Sequence, residues 1–156
     1  MYNNKYDITK IRLLPMSNTR FEEDFKDEKD VRRFLAHRLP KEENGECWYL
    51  EKGINFPNDT EALVLFQYNA KLIGCGILYQ RKKVIEEYDG NIYHGKLCFY
   101  PESIINIDSI TFEEIKEIDD TFKVGRGPGE IKIDCLNKIL NLIEKRWKRF
   151  NITKYF

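Results

Sequence analysis

The chain has 156 residues, with 26 Lys and Arg against 26 Asp and Glu, and 33% of its residues are charged. That length holds one domain with a real core, and the balance excludes a basic nucleic-acid tail without fixing how charge is spread over the surface. No apolar run approaches the roughly 20 residues that cross a bilayer, and MYNNKYDITKIRLL lacks the small-residue cleavage site of a signal peptide, so no membrane partner is expected.

Residues 1–45 read as a charged, helical N-terminal segment packed on the rest of the chain. In DEKDVRRFLAHRLP the acids come first and Arg32, Arg33, His37 and Arg38 later, as the helix dipole favours. Val31, Phe34, Leu35 and Leu39 form an apolar stripe, Pro40 marks the stop, and His37 falls on the basic solvent face. After the polar KEENGE, CWYLEKG reads as a short aromatic strand and INFPNDTE as a loop. ALVLFQYNAKLIGCGILYQR, residues 62–81, is a hairpin turning at Asn69-Ala70. On its first strand Val64, Phe66 and Tyr68 share a face. On its second, Gly74 and Gly76 leave one face bare, which permits close approach by another backbone or by a ligand.

The basic cluster Arg81-Lys82-Lys83 opens a charged link, and a turn at Asp89-Gly90-Asn91 leads to the aromatic strand YHGKLCFYP. SIINID extends the sheet. SITFEEIKEID reads as a helix capped by Ser109 or Thr111, with Glu113 and Glu114 in its first turn. FKVGRGPGE is a glycine-rich loop. The last helix is expected from about Glu130, with Ile131, Cys135, Ile139, Leu142 and Ile143 on one face and a basic polar side. A helix, then about five short strands, then helices indicates an α+β class: a small, partly open mixed β-barrel flanked by N-terminal and C-terminal helices. Residues 46–156 would carry the barrel and its C-terminal helix, and the whole chain one globular unit.

Motifs for catalysis are weak. Cys47, Cys75, Cys98 and Cys135 contain no C-x-x-C pair and have only His37 and His94 beside them, so neither zinc nor any other cofactor is expected, and reduced thiols suit a cytoplasmic protein. Asp120 followed by Glu130-Ile131-Lys132 has the residues of a magnesium nuclease, but that chemistry needs the E-x-K on a strand, and the periodicity here is helical. GRGPGE precedes a helix and could present Arg126 to a phosphate, yet neither G-K-[ST] nor G-x-G-x-x-G is present. No G-x-S-x-G occurs either. The chain is therefore expected to bind rather than to catalyse.

ALVLFQYNAKLIGCGILYQR, followed by GKLCFYPESIINIDSITFEEI, resembles the PUA-like superfamily of ASCH, EVE and YTH domains. There a strand of the d-x-v-l-f kind turns into g-k-i-i-G-x-g-x-i, whose glycine falls at Gly74. A later i-x-P-i-x-l-e-e-i segment is matched by INIDSITFEEI without its proline. WYLEKGINFPNDTEALVLFQY and FKVGRGPGEIKIDCLNKIL are similar to the PUA-like domains attached to HNH endonucleases in bacterial restriction systems. The likeness spans residues 46–145. It implies a module that binds DNA or RNA, with a modified base held among aromatic rings, in a restriction or phage-defence setting. No HNH nuclease and no histidine follow His94, so if the 156 residues are the whole protein, cleavage would come from an effector protein such as a partner nuclease or not occur at all.

The residues fit that implication. A flipped base needs flat faces to stack on and fixed polar groups at its edge. Trp48 leads the candidates, since its indole N–H needs a partner and it lies beside a polar loop whose Asn55 offers an amide. Tyr49, Phe66, Tyr68, Gly74 and Tyr79 complete the expected ligand set, although aromatics on strands of a small domain are more often core. Arg81, Lys82, Lys83, Arg126 and Lys132 are the expected phosphate contacts. Two other readings stay open: a magnesium nuclease using Asp120, Glu130 and Lys132, and a protein-interaction module docking through the terminal helix.

Overall fold

The computed structural model describes residues 2, 5–16, 25–50, 60–88, 90–123 and 129–156. Seven strands among them form one open sheet: β1 (Ile8–Pro15), β2 (Glu46–Tyr49), β3 (Glu61–Tyr68), β4 (Lys71–Tyr88), β5 (Asn91–Phe99), β6 (Ile105–Thr111) and β7 (Glu130–Ile131). The order is β2-β5-β4-β3-β1-β7, with β6 paired to β4. β1 runs parallel to β3, and the other pairings are antiparallel, so the sheet is mixed. Helices α1 (Glu28–Arg33), α2 (Phe112–Ile118), α3 (Leu136–Arg149) and the short α4 (Ile152–Tyr155) flank it. The α+β class, the open mixed sheet and the flanking helices agree with the sequence expectation.

β3 explains why its sequence is almost continuously apolar. Val64 and Phe66 face a core layer containing Val31, Phe34, Leu35, Leu78 and Phe99, while Leu63 and Leu65 face a second containing Ile107, Ile115, Ile139 and Ile143. A strand covered on both faces has no reason to alternate. The turn after it uses Asn69 at φ +54°, the left-handed position that a tight turn demands. At Thr111 a capping box with Glu114 starts α2, as the sequence indicates.

Two elements differ from expectation. Ile8–Pro15, inside the segment expected to be helical, is a strand, because Ile11 and Leu13 alternate with Lys10 and Arg12 and find β3 alongside. The last helix begins at Leu136 rather than Glu130, since Glu130 and Ile131 pair with Arg12 and Ile11 of β1 and a 3-10 turn over Ile133–Cys135 intervenes. α1 also widens into a π-helical stretch, Phe34–Arg38, before a 3-10 turn containing Pro40 ends it.

The length of β4 positions the site. Its first residues, Lys71–Cys75, lie between β3 and β6; from Leu78 onward its partner is β5. β3 ends opposite Leu78, and β2 ends opposite Gly95. Beyond those points, among the described residues, the two strands pair only with each other as an arm, Lys83–Tyr88 against 91–95, with Ile85, Tyr88 and Ile92 exposed. In the body, Cys47, Cys75 and Cys98 are buried and Cys135 is half-buried; all are free thiols. Burial pushes the Cys75 thiol up to about 12, although the Tyr2 hydroxyl 3.1 Å from its sulfur works the other way.

Candidate aromatic recess at the root of the arm

Trp48 sits on β2 opposite Lys96 of β5, and its indole is half-buried. The register of β4 against β5 slips between Lys83 and Glu86, and a bulge of this kind re-aims the side chains beyond it. Gly95, at φ +152°, answers the slip on β5; a Cβ there would collide with the Lys82 carbonyl oxygen and the Tyr49 hydroxyl. Across this irregularity the Tyr93 ring meets the indole edge-on, centroids 5.4 Å apart. Trp48, Glu86, Glu87, Tyr88 and Tyr93 then line a recess of about 280 Å³, near the lower end of small-ligand pockets.

Charge is organised around the indole. Lys96 Nζ lies 4.8 Å from the ring centroid, in cation–π range, and donates to Glu46 at 2.7 Å. Lys82 Nζ donates to the other Glu46 oxygen at 3.1 Å. Partial burial would raise the Glu46 carboxyl, but the two ammonium groups outweigh it and hold the acid below its ordinary range. The trio carries one net positive charge beside the recess, and Lys83 is exposed on the same strand as Lys82. Burial raises the pKa of the Tyr49 hydroxyl, and the charge of the Arg81 guanidinium offsets part of that rise.

The expected ligand residues separate. Trp48 borders the recess. Tyr49 is only 3% exposed, Phe66 is fully buried, and both belong to the core. Tyr68 packs against the same layer. Gly74 is bare for a structural reason: a Cβ there would meet the Ile105 carbonyl oxygen at 2.7 Å and Leu35 Cδ1 at 2.8 Å, so backbone and side chain, not a ligand, fill the gap. Tyr79 lies tilted against Tyr100 with centroids 4.7 Å apart, Tyr100 stacks on Tyr6 at 5.1 Å, and the Tyr79 hydroxyl donates to the Asn44 carbonyl, so Tyr79 does not line the recess. Asn55 and Arg126 lie outside the described residues. Lys132 is exposed in the 130–136 segment and is not brought to the arm. On the terminal helix, Arg146 is engaged by Glu114 and the Ser109 carbonyl, and Arg149 by Asp108 at 3.6 Å.

Glu86, Glu87, Tyr88 and Tyr93 line the recess, and the sequence reading misses them. Their signal is VIEEYDGNIYHG, in which a D-G turn flanked by Ile and Tyr is a hairpin signature rather than a charged link. The E-x-K motif also needs correction. Glu130 does lie on a strand, but its carboxylate accepts from Arg12 at 3.1 Å. The neighbouring buried acid is Asp119, not Asp120; it accepts from the Lys132 and Thr121 backbone N–H groups and from the Thr121 hydroxyl. Among the described residues no three His, Cys, Asp or Glu side chains converge as metal ligands do.

No family model matches the sequence, and no curated protein does. Solved structures do match. A serine-to-alanine variant of an ASCH protein from Zymomonas mobilis superposes with a TM-score of 0.55 at 10% identity, covering 85% of this chain and 95% of that one. A tyrosine-to-phenylalanine variant of the same protein gives 0.52 at 11%, over 86% and 99%, and the ASCH protein itself 0.51 at 10%, over 85% and 94%. Identity this low speaks to architecture alone, and that much is plain: the chain shares the fold of the Zymomonas mobilis ASCH protein.

Proposed function

We propose that this protein is a nucleic-acid-binding module that seats a base in the recess formed by Trp48, Tyr88 and Tyr93. The observation carrying this reading is the half-buried indole, met by a Tyr93 edge and open to a cavity of about 280 Å³ at the root of a projecting arm. Aromatic faces accept any base, and each stacked base is worth about 1–3 kcal/mol. Lys82, Lys83 and Lys96 lie on the flanking strands, where a strand entering the recess would run its phosphates. The fold shared with ASCH domains supports the same reading.

Titration of short single-stranded RNA and DNA at low salt tests it. Trp48→Ala is expected to weaken binding about 5-fold to 150-fold, the equivalent of one lost stack, with circular dichroism and thermal melting unchanged. Wild-type protein that binds neither polymer would sink the proposal. A restriction or phage-defence setting, with a partner nuclease, is proposed on the sequence resemblance to HNH-associated domains; a nuclease co-purifying from the native host tests it.

Exposed Ile85, Tyr88 and Ile92 on the arm favour a second reading, a protein-interaction module. Association that survives nuclease treatment and is lost on Ile85→Asp would select it over the first.

A further inference from the structure

We infer that the recess selects a positively charged, N-methylated base over its neutral counterparts. The inference rests on the reading of the recess as a base site and names the chemistry of the base. Three aromatic side chains line the cavity, and the face of an aromatic ring attracts positive charge. That the indole attracts a cation is already visible, since Lys96 Nζ lies over the Trp48 ring at 4.8 Å. Lys96 is held there by Glu46 at 2.7 Å, so it occupies its own place beside the ring and does not line the cavity.

The acidic residues give the selectivity its direction. Glu86 pairs with Tyr93 across the arm, and Glu86 and Tyr88, two apart on β4, project on the same side, which sets a carboxylate beside the rings. Glu87 completes the lining. For a neutral base those carboxylates give at most an edge hydrogen bond. For phosphate they are repulsive, so the backbone must pass along the lysine side while the base alone enters. A base methylated on a ring nitrogen that bears no proton, such as N1 of adenine or N7 of guanine, carries a delocalised positive charge in its plane. It gains cation–π attraction from the ring it stacks on, and Coulomb attraction from Glu86 and Glu87, whose two negative charges exceed the single net positive charge of Glu46, Lys82 and Lys96.

Isomers separate charge from the methyl group. 1-Methyladenosine is cationic at neutral pH and N6-methyladenosine is neutral, with the same heavy atoms in both; 7-methylguanosine and guanosine add a pair that differs in both methyl group and charge. With Trp147→Phe as the background, Trp48 is the sole indole and its fluorescence reports occupancy. The cationic member of each pair is expected to bind about tenfold tighter, within the range of a desolvated cation–π contact. Glu86→Gln, at an exposed position, should shrink the affinity ratio within each pair, and that ratio is the readout. Equal binding of both isomers, or a preference for the neutral one, overturns the inference and leaves the base site standing. Wild-type protein that binds none of the four nucleosides and no oligonucleotide overturns both.

Discussion

Asp119 is 3% exposed, and its carboxylate gathers three donors within 3.0 Å, two of them backbone N–H groups. Burial by itself would raise this acid, but the Lys132 amide and the Thr121 donors outweigh it and hold the group below its ordinary range. The folded value being lower than the unfolded one, about 3.9, the stabilisation is present at neutral pH and is lost as pH falls through the folded value. Asp119→Asn is therefore expected to cost about 1–3 kcal/mol in urea denaturation at pH 7, with the gap to wild type closing towards acid pH. Gly74→Ala acts through space instead. Its methyl would press on the Ile105 backbone, which cannot swing aside, and a loss of about 1–3 kcal/mol should appear in the same assay without any change in nucleic-acid binding. The glycine is conspicuous in the sequence, and its bare face does mark a close approach. Whether a ligand or a backbone makes that approach depends on Ile105, a residue the hairpin's own sequence does not contain.

Arg32 shows what an element contributes beyond its own periodicity. Its guanidinium is fully buried, with Nε on Glu28 at 3.0 Å and Nη1 on the carbonyls of Ile73 and Ile107 at 3.1 and 2.8 Å. Asn106 returns an amide N–H to the Arg32 carbonyl at 3.0 Å. The rings of Phe150 and Tyr155 close over the guanidinium at 5.1 and 4.3 Å, so the residue capping α3 and the short α4 together cover this charge. Arg32→Ala leaves Glu28 and two carbonyls short of a donor and is expected to cost about 3–5 kcal/mol. Phe150→Ala with Tyr155→Ala should cost less, about 1–3 kcal/mol by loss of two cation–π contacts, and guanidinium chloride denaturation separates the two cases. The apolar stripe of Val31, Phe34 and Leu35 is legible, because every residue of it obeys one helix. Arg32 is hidden among basic neighbours, because its partners lie 41 and 75 residues away. Glu130 and Ile131 are hidden for a related reason. Ile131, Ile139 and Ile143 face one core layer, so the spacing looks helical across a junction where the chain is first strand, then 3-10 turn, then helix.

At the scale of the whole molecule, a formal charge of zero conceals a local bias, since the lysines beside the recess are partly committed to Glu46 while Lys83 faces solvent. Binding of a single strand should therefore weaken with salt on a shallow slope, about −0.7 in log K against log salt for each engaged lysine. Lys83→Ala is expected to reduce that slope by about 0.7, and repeating the titrations at several ionic strengths measures it. The sheet and its class can be read from sequence because hairpins and two-faced strands write their burial into nearby residues. The recess cannot, because it depends on a register slip in β4 that only the pairing with β5 reveals. Sequestration of the thiols has a practical corollary. Cys47, Cys75 and Cys98 are at most 2% exposed, so an alkylating reagent can modify them only during transient opening of the body. Mass-resolved labelling would then act as a clock for that opening, with Cys135 as the early-reacting internal standard.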